Sequence, residues 1–211
     1  MTTRRTTTGH ATTRRVLDVS ALPTDGFGQR GLGWWATLGF MVIEGTTLAV
    51  GMAVYLYLRQ NFPGFPPPRT ALPSLGVPTA NILLMLLSIL PMVVVERASL
   101  RFDLRRIRIG LAIATLLGFV CVGLRFVEFT SLNVRWDSNA YGSAAWGVLG
   151  LHTSLLVVDA LETAAFAVLA YRGPLEKKHF SDFEDAAFYQ YFLSGANVLV
   201  WLLLFVSPRW L

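Results

Sequence analysis

The sequence predicts an all-α, polytopic membrane protein, a bundle of five transmembrane helices. Three observations carry this. Of 211 residues, 54% are hydrophobic and only 15% charged, with a mean hydropathy of +0.52, a balance foreign to water-soluble and to disordered chains. The apolar residues gather into five runs near the ~20 residues that cross a bilayer core. Strand-like alternation nowhere persists long enough to compete.

Residues 1–32 are rich in Thr, Arg and Gly, with the pairs Arg4-Arg5 and Arg14-Arg15 and few large apolar side chains. They read as a disordered basic tail on the cytoplasmic side, followed by a membrane domain over 33–211. No apolar stretch of signal-peptide length precedes Gly33, so no cleaved secretory signal is expected. The absence of acids before Asp18 leaves a mitochondrial presequence as the second reading.

The first span runs from Gly33 to Leu58, opened by Trp34-Trp35 and closed by Tyr55 and Tyr57, aromatics suited to the two interfaces. Residues 59–78 hold Pro63, Pro66, Pro67, Pro68, Pro73 and Pro78, which exclude regular helix and mark a connector. The second span, Pro78 to Val95, contains Pro91, tolerable where neighbouring helices satisfy the freed carbonyl. A short loop with Arg97, Arg101, Arg105, Arg106 and Arg108 leads to the third span, Ile109 to Phe129. A polar turn, Asn133 to Ser143, precedes the fourth, Ala144 to Ala170. Arg172, Lys177, Lys178 and His179 then lead into the fifth, Ala186 to Val206.

Charge fixes the expected orientation. With the tail inside, that side collects Arg4, Arg5, Arg14, Arg15, Arg30, the loop arginines, Arg172, Lys177 and Lys178, against Arg59, Arg69, Arg135 and Arg209 outside. The asymmetry predicts an N-inside, C-outside topology. The net charge of +5 is therefore topological, and no nucleic-acid partner is expected. Cys121, the lone cysteine, excludes an internal disulfide, a cysteine zinc site and an iron–sulfur cluster. His10, His152 and His179 lie on separate segments, and no phosphate loop, serine elbow or histidine pair appears, so neither a metal site nor a catalytic residue is expected in this chain.

Ionisable residues inside the spans are the functional candidates. Glu44 lies near the middle of the first span, where an ionised carboxylate costs at least about 2.5–3.5 kcal/mol on insertion scales. Two readings stay open: a proton-exchanging or lipid-facing carboxyl, or a protonated acid hydrogen-bonded to a neighbouring helix. His152 and Asp159, seven apart, share a helix face that Glu162 extends, a polar stripe fitting a proton path or a helix contact, with the contact favoured. His152 itself reads as an interhelical hydrogen-bonding residue. Arg125 and Glu128 read as a local ion pair at the membrane edge. Phe188, Tyr189, Tyr191 and Phe192 read as an interfacial anchor, and Arg97, Arg101, Arg105 and Arg106 as candidates for anionic headgroups.

From residue 33 onward the chain resembles subunit III of the haem–copper (cytochrome c) oxidases. The first span, with Phe40-Met41-Val42-Ile43-Glu44, is similar to a family helix that leads to a membrane-buried glutamate. Pro78 and Asn81 match the Pro-x-x-Asn opening of the next helix, and Ser99-Leu100 fall in the basic inner loop. Leu117-Gly118, Glu128, Tyr141-Gly142-Ser143 and Gly150-Leu151-His152 follow the family's central signature, and Phe183-Glu184, Ala187, Tyr189 and Phe192 its last-helix motif. The chain departs from the pattern at Leu155, where members often have a second histidine, and at Arg125, where they have glutamine. Gln190, Tyr191 and Ser194 replace the usual tryptophan, histidine and aspartate. Seven-helix members begin with two further helices that form one wall of a lipid cleft; five-helix members are similar to this chain.

The resemblance implies a non-redox accessory subunit of a redox-driven proton pump in the bacterial cell membrane, with the mitochondrial inner membrane as second choice. Its N-terminus would be cytoplasmic and its C-terminus periplasmic. It would bind catalytic subunit I and subunit II, which hold the haem and copper, retain phospholipid, and sustain proton uptake through Glu44, then His152 and Glu128. The alternatives are a subunit III-like companion of a nitric oxide reductase, a pure assembly or lipid-organising subunit, and a small proton-coupled transporter using Glu44, Asp159 and Glu162. The transporter is disfavoured because no internal repeat is visible.

Overall fold

The structure, a computed structural model, describes residues 31–210 apart from 63, 69, 174 and 176; residues 1–30 of the expected tail, and Arg69, lie outside the described residues, while Leu32 already belongs to the first helix. Every expected span is a helix: α1 (Leu32–Asn61), α2 (Gly76–Ser99), α3 (Leu104–Ser131), α4 (Ala140–Arg172) and α5 (Lys177–Trp201). A π-helical segment (Leu202–Val206) and a last helical turn, α6 (Ser207–Trp210), continue α5. Five helices are long and apolar enough to cross a membrane, and no strand occurs among the described residues.

The helices outrun the apolar runs that announced them. Helix α3 starts at Leu104 because the Asp103 side chain accepts from the Arg106 backbone N–H at 3.3 Å, so Arg105, Arg106 and Arg108 are helical, not loop. Helix α4 starts at Ala140 because Asn139 caps it, accepting from the Gly142 N–H at 2.8 Å, which shortens the expected polar turn. Lys177, Lys178 and His179 open α5. Without water in the hydrocarbon, backbone groups must be satisfied within the helix, so it persists until headgroups or solvent can replace its bonds.

Helix α2 packs on α3 and α5, α3 on α4, and α1 chiefly on α4 and α5. Since α1 and α2 are not close neighbours, the proline-rich connector crosses the bundle end, where the Phe65 ring meets Tyr55 and Tyr141, each at 5.1 Å between ring centres. The Ser74 N–H donates to the Ser131 carbonyl at 2.7 Å and Asn133 Nδ2 to the Leu72 carbonyl at 2.8 Å, fastening the connector to α3. Close approach of α2 and α3 depends on Gly110. A Cβ there would lie 2.6 Å from Val95 Cγ2 and 3.1 Å from the Pro91 carbonyl oxygen, which has no room to move.

The π-helical segment has a local cause. Pro208 has no N–H for the Leu204 carbonyl and its ring crowds that carbonyl, so α register is broken just ahead of it, and the Leu203 carbonyl has no backbone donor at residue 208 in π register either. Ser207 Oγ supplies the donor instead, at 2.7 Å from Leu203 O. Arg209 donates to the Phe205 and Pro73 carbonyls, and Arg59 reaches Ser207 Oγ at 2.9 Å, tying α1, the connector and the chain end together.

Candidate functional site

Polar residues inside the bundle lie in two layers, each assembled by residues seven apart on four helices. Asn81 and Ser88 on α2, Glu128 and Cys121 on α3, His152 and Asp159 on α4, and Asn197 and Gln190 on α5 supply the two levels in turn. Seven residues rise about 10 Å at ~1.5 Å each, so antiparallel helices place these pairs in register.

The layer nearer the proline-rich end centres on Arg125, 1% exposed. Its Nη1 donates to Glu128 Oε2 at 2.5 Å, and its Nη2 donates to Asn197 Oδ1 at 2.7 Å and to His152 Nδ1 at 3.2 Å. A guanidinium only donates, so Nδ1 must carry the lone pair. The His152 proton then sits on Nε2, which donates to the Leu193 carbonyl at 3.2 Å. Both ring nitrogens are thereby committed, and His152 is a neutral hydrogen-bonding junction between α3, α4 and α5. The expected Arg125–Glu128 ion pair is present and is buried inside the bundle. Asn81, entirely buried beside Glu128, makes no hydrogen bond of good geometry.

Val158 and Tyr189, next in sequence to Asp159 and Gln190 of the second layer, line a cavity of about 370 Å³ between α1, α4 and α5. The cavity extends from Gly33, Ala36 and Thr37 at the start of α1 to Glu44 near its middle. Asp182 and Asp185 line it at the start of α5, Glu162 and Glu44 deeper, and Phe40, Val158, Phe166 and Tyr189 form the apolar walls. No basic residue lines it among the described residues. Tyr189 Oη donates to Glu44 Oε2 at 2.6 Å, holding this half-buried carboxyl from α5. Asp159 is 4% exposed and lies within hydrogen-bonding reach of the Gln190 amide, which also meets Ser88 Oγ at 2.9 Å; Ser88 Oγ donates on to the Met85 carbonyl at 2.6 Å. Glu44, Asp159 and Glu162 thus form one acidic cluster, separate from the Glu128–His152 layer.

Tyr189 and Tyr191, expected as interfacial anchors, turn inward. Tyr191 Oη donates to Glu96 Oε2 at 2.7 Å, an acid that sequence reasoning passed over. Asn197, Gln190 and Ser88 were missed as partners too, although the seven-residue spacings of Asn81 with Ser88 and of Gln190 with Asn197 were a visible signal. Arg97, Arg101 and Arg106 share a hollow at the α2–α3 turn, whereas Arg105 lies outside it. Among the described residues no three His, Cys, Asp or Glu side chains come together to hold a metal.

Fold and site define a multi-pass helical membrane protein that keeps an acid-lined cleft and a buried arginine network within its bundle. The chain belongs to the cytochrome c oxidase subunit III family, whose model matches residues 45–211. A curated relative, cytochrome c oxidase subunit 3 of Triticum aestivum, is 29% identical over 134 residues, covering 64% of this chain and 49% of the relative. The chain therefore spans about half the length of that relative. Both polar layers lie within the matched residues, apart from Glu44, which immediately precedes them.

Proposed function

We propose that this chain is the non-redox subunit III of a cytochrome c oxidase, bound in the membrane to catalytic subunit I and to subunit II, which hold the haem and copper. Its part in the reaction is to collect protons at one membrane face and to steady the catalytic subunit during oxygen reduction. The observation that supports the proton role is the cavity lined by Asp182, Asp185, Glu162 and Glu44, leading from the helix ends that carry the loop arginines toward the middle of the bundle. Acids grouped in a low-dielectric cleft focus the local field and raise proton occupancy near its mouth. Glu44, positioned by Tyr189, is the deepest acid of the lining and the residue through which protons are exchanged.

The same reading puts the basic ends of the helices on the cytoplasmic side of a bacterial cell membrane, with retained phospholipid completing the bundle surface. Glu44→Gln tests the proton role. The amide still accepts from Tyr189 through its carbonyl oxygen, so the fold is kept while the exchangeable proton is lost. In the reconstituted complex the variant is expected to slow sustained proton-pumping turnover; turnover equal to the unaltered complex would remove Glu44 from the proton path.

A further inference from the structure

We infer that the α2–α3 turn is a binding site for the phosphate of an anionic phospholipid, whose acyl chain lies along the outer face of α2. Five arginines crowd this region, and the structure divides them. Arg108 turns inward, its Nε donating to the Ala170 carbonyl at 2.7 Å while its guanidinium lies 5.7 Å from the Tyr171 ring centre. Arg105 is exposed and apart. Arg97, Arg101 and Arg106 instead share a hollow of about 210 Å³ whose apolar wall is Val94 and Ala98. Arg106 has one acidic partner, Asp103 at 3.1 Å, and that pair is largely exposed. Arg97 and Arg101 have no ion pair among the described residues. Three arginines, from the last turn of α2, the connecting turn and the first turn of α3, line this one hollow and supply the charge and hydrogen-bond donors that a phosphate takes.

A second observation separates a lipid from a free phosphate. Leu83, Leu87, Leu90 and Val94 are 61%, 52%, 61% and 45% exposed. Their spacing of four, three and four places them on one stripe of α2, and the same spacing continues into Arg97 and Arg101. From Leu83 to Val94 the stripe is about 16 Å long at ~1.5 Å per residue, close to the half-thickness of a bilayer core of ~30 Å. The surface is therefore apolar for one leaflet and cationic at headgroup depth. The cavity beside Glu44 is its opposite, lined by acids and suited to repel a phosphate. This site depends only on the helices crossing a membrane, and its test is independent of the oxidase reading.

The full chain, with whatever complex it brings, is exchanged into nanodiscs of phosphatidylcholine containing phosphatidylglycerol, and the lipid surviving a detergent wash is counted by native mass spectrometry. Phosphatidylglycerol is expected to stay with the unaltered chain. Arg97→Gln and Arg101→Gln should each weaken retention about fivefold. Arg105→Gln, the same change in charge outside the hollow, should leave retention unchanged, and Leu87→Ser should weaken it with no change in charge. Circular dichroism of these exposed-site variants checks that the helices persist. Equal loss from Arg105→Gln, full retention in the Arg97→Gln/Arg101→Gln double variant, or displacement of the lipid by inorganic phosphate alone would overturn the assignment. So would a neighbouring subunit's carboxylate seated in the hollow in a map of the complex.

Discussion

Arg125 shows how much a single buried charge demands of its surroundings. Glu128 on its own helix, His152 on α4 and Asn197 on α5 all accept from one guanidinium, and the Leu193 carbonyl holds His152 from behind. Removing the cation leaves Glu128 buried with its charge uncompensated, a loss that costs about 3–5 kcal/mol in other proteins. Arg125→Leu is therefore expected to lower thermal stability in detergent sharply. The double replacement Arg125→Leu/Glu128→Leu should recover most of that loss, because it buries no lone ion. Tyr189→Phe deletes one hydrogen bond to Glu44 and should cost about 1 kcal/mol, measured in the same unfolding experiment. If the double replacement unfolded as readily as Arg125→Leu, the ion pair would not be the source of the stability lost.

At the scale of the helix, close packing and local carbonyl satisfaction set the shape. Gly110→Val drives a branched side chain into Val95 and the Pro91 carbonyl, an overpacking expected to cost about 1–3 kcal/mol and to be visible as a lowered melting temperature. Helix existence was legible in the sequence because spans of ~20 apolar residues have few other solutions. Helix ends were less legible. Arg105, Arg106 and Arg108 look like loop by hydropathy, yet arginine is a good helix former and Asp103 caps the helix that holds them. The polar layers were half legible. His152 and Asp159, seven apart, are both buried on one helix face, but Gln190 was weighed only as a departure from a family motif and Asn197, seven residues on, not at all. Hydropathy reports how apolar a segment is, not which of its polar groups meet across helices, and so the split between the Arg125 network and the Glu44 cluster needed coordinates.

For the whole molecule, the arrangement has a direction. The basic helix ends, the acid-lined cavity mouth and the three-arginine hollow lie toward one membrane face, while the proline-rich connector, the Arg135–Asp137 turn and the chain end lie toward the other. In a Cys121→Ser background, cysteine placed at Ser138 should react with a membrane-impermeant thiol reagent added outside intact cells, and cysteine placed at Arg101 should not. The reverse pattern would invert the topology and turn the cavity toward the wrong compartment for the proposed proton uptake. The long exposed apolar face of α1, with Phe40, Ile43 and Val50 more than half exposed, is what a chain would show when lipid or neighbouring subunits complete its surface.

The most direct test of an accessory role in respiration is to purify the chain in mild detergent from its native membrane through a tag and record the reduced-minus-oxidised spectrum of what accompanies it. The accessory role predicts haem absorption and cytochrome c-dependent oxygen consumption in the preparation. A well-folded preparation recovered from that membrane without haem would contradict it.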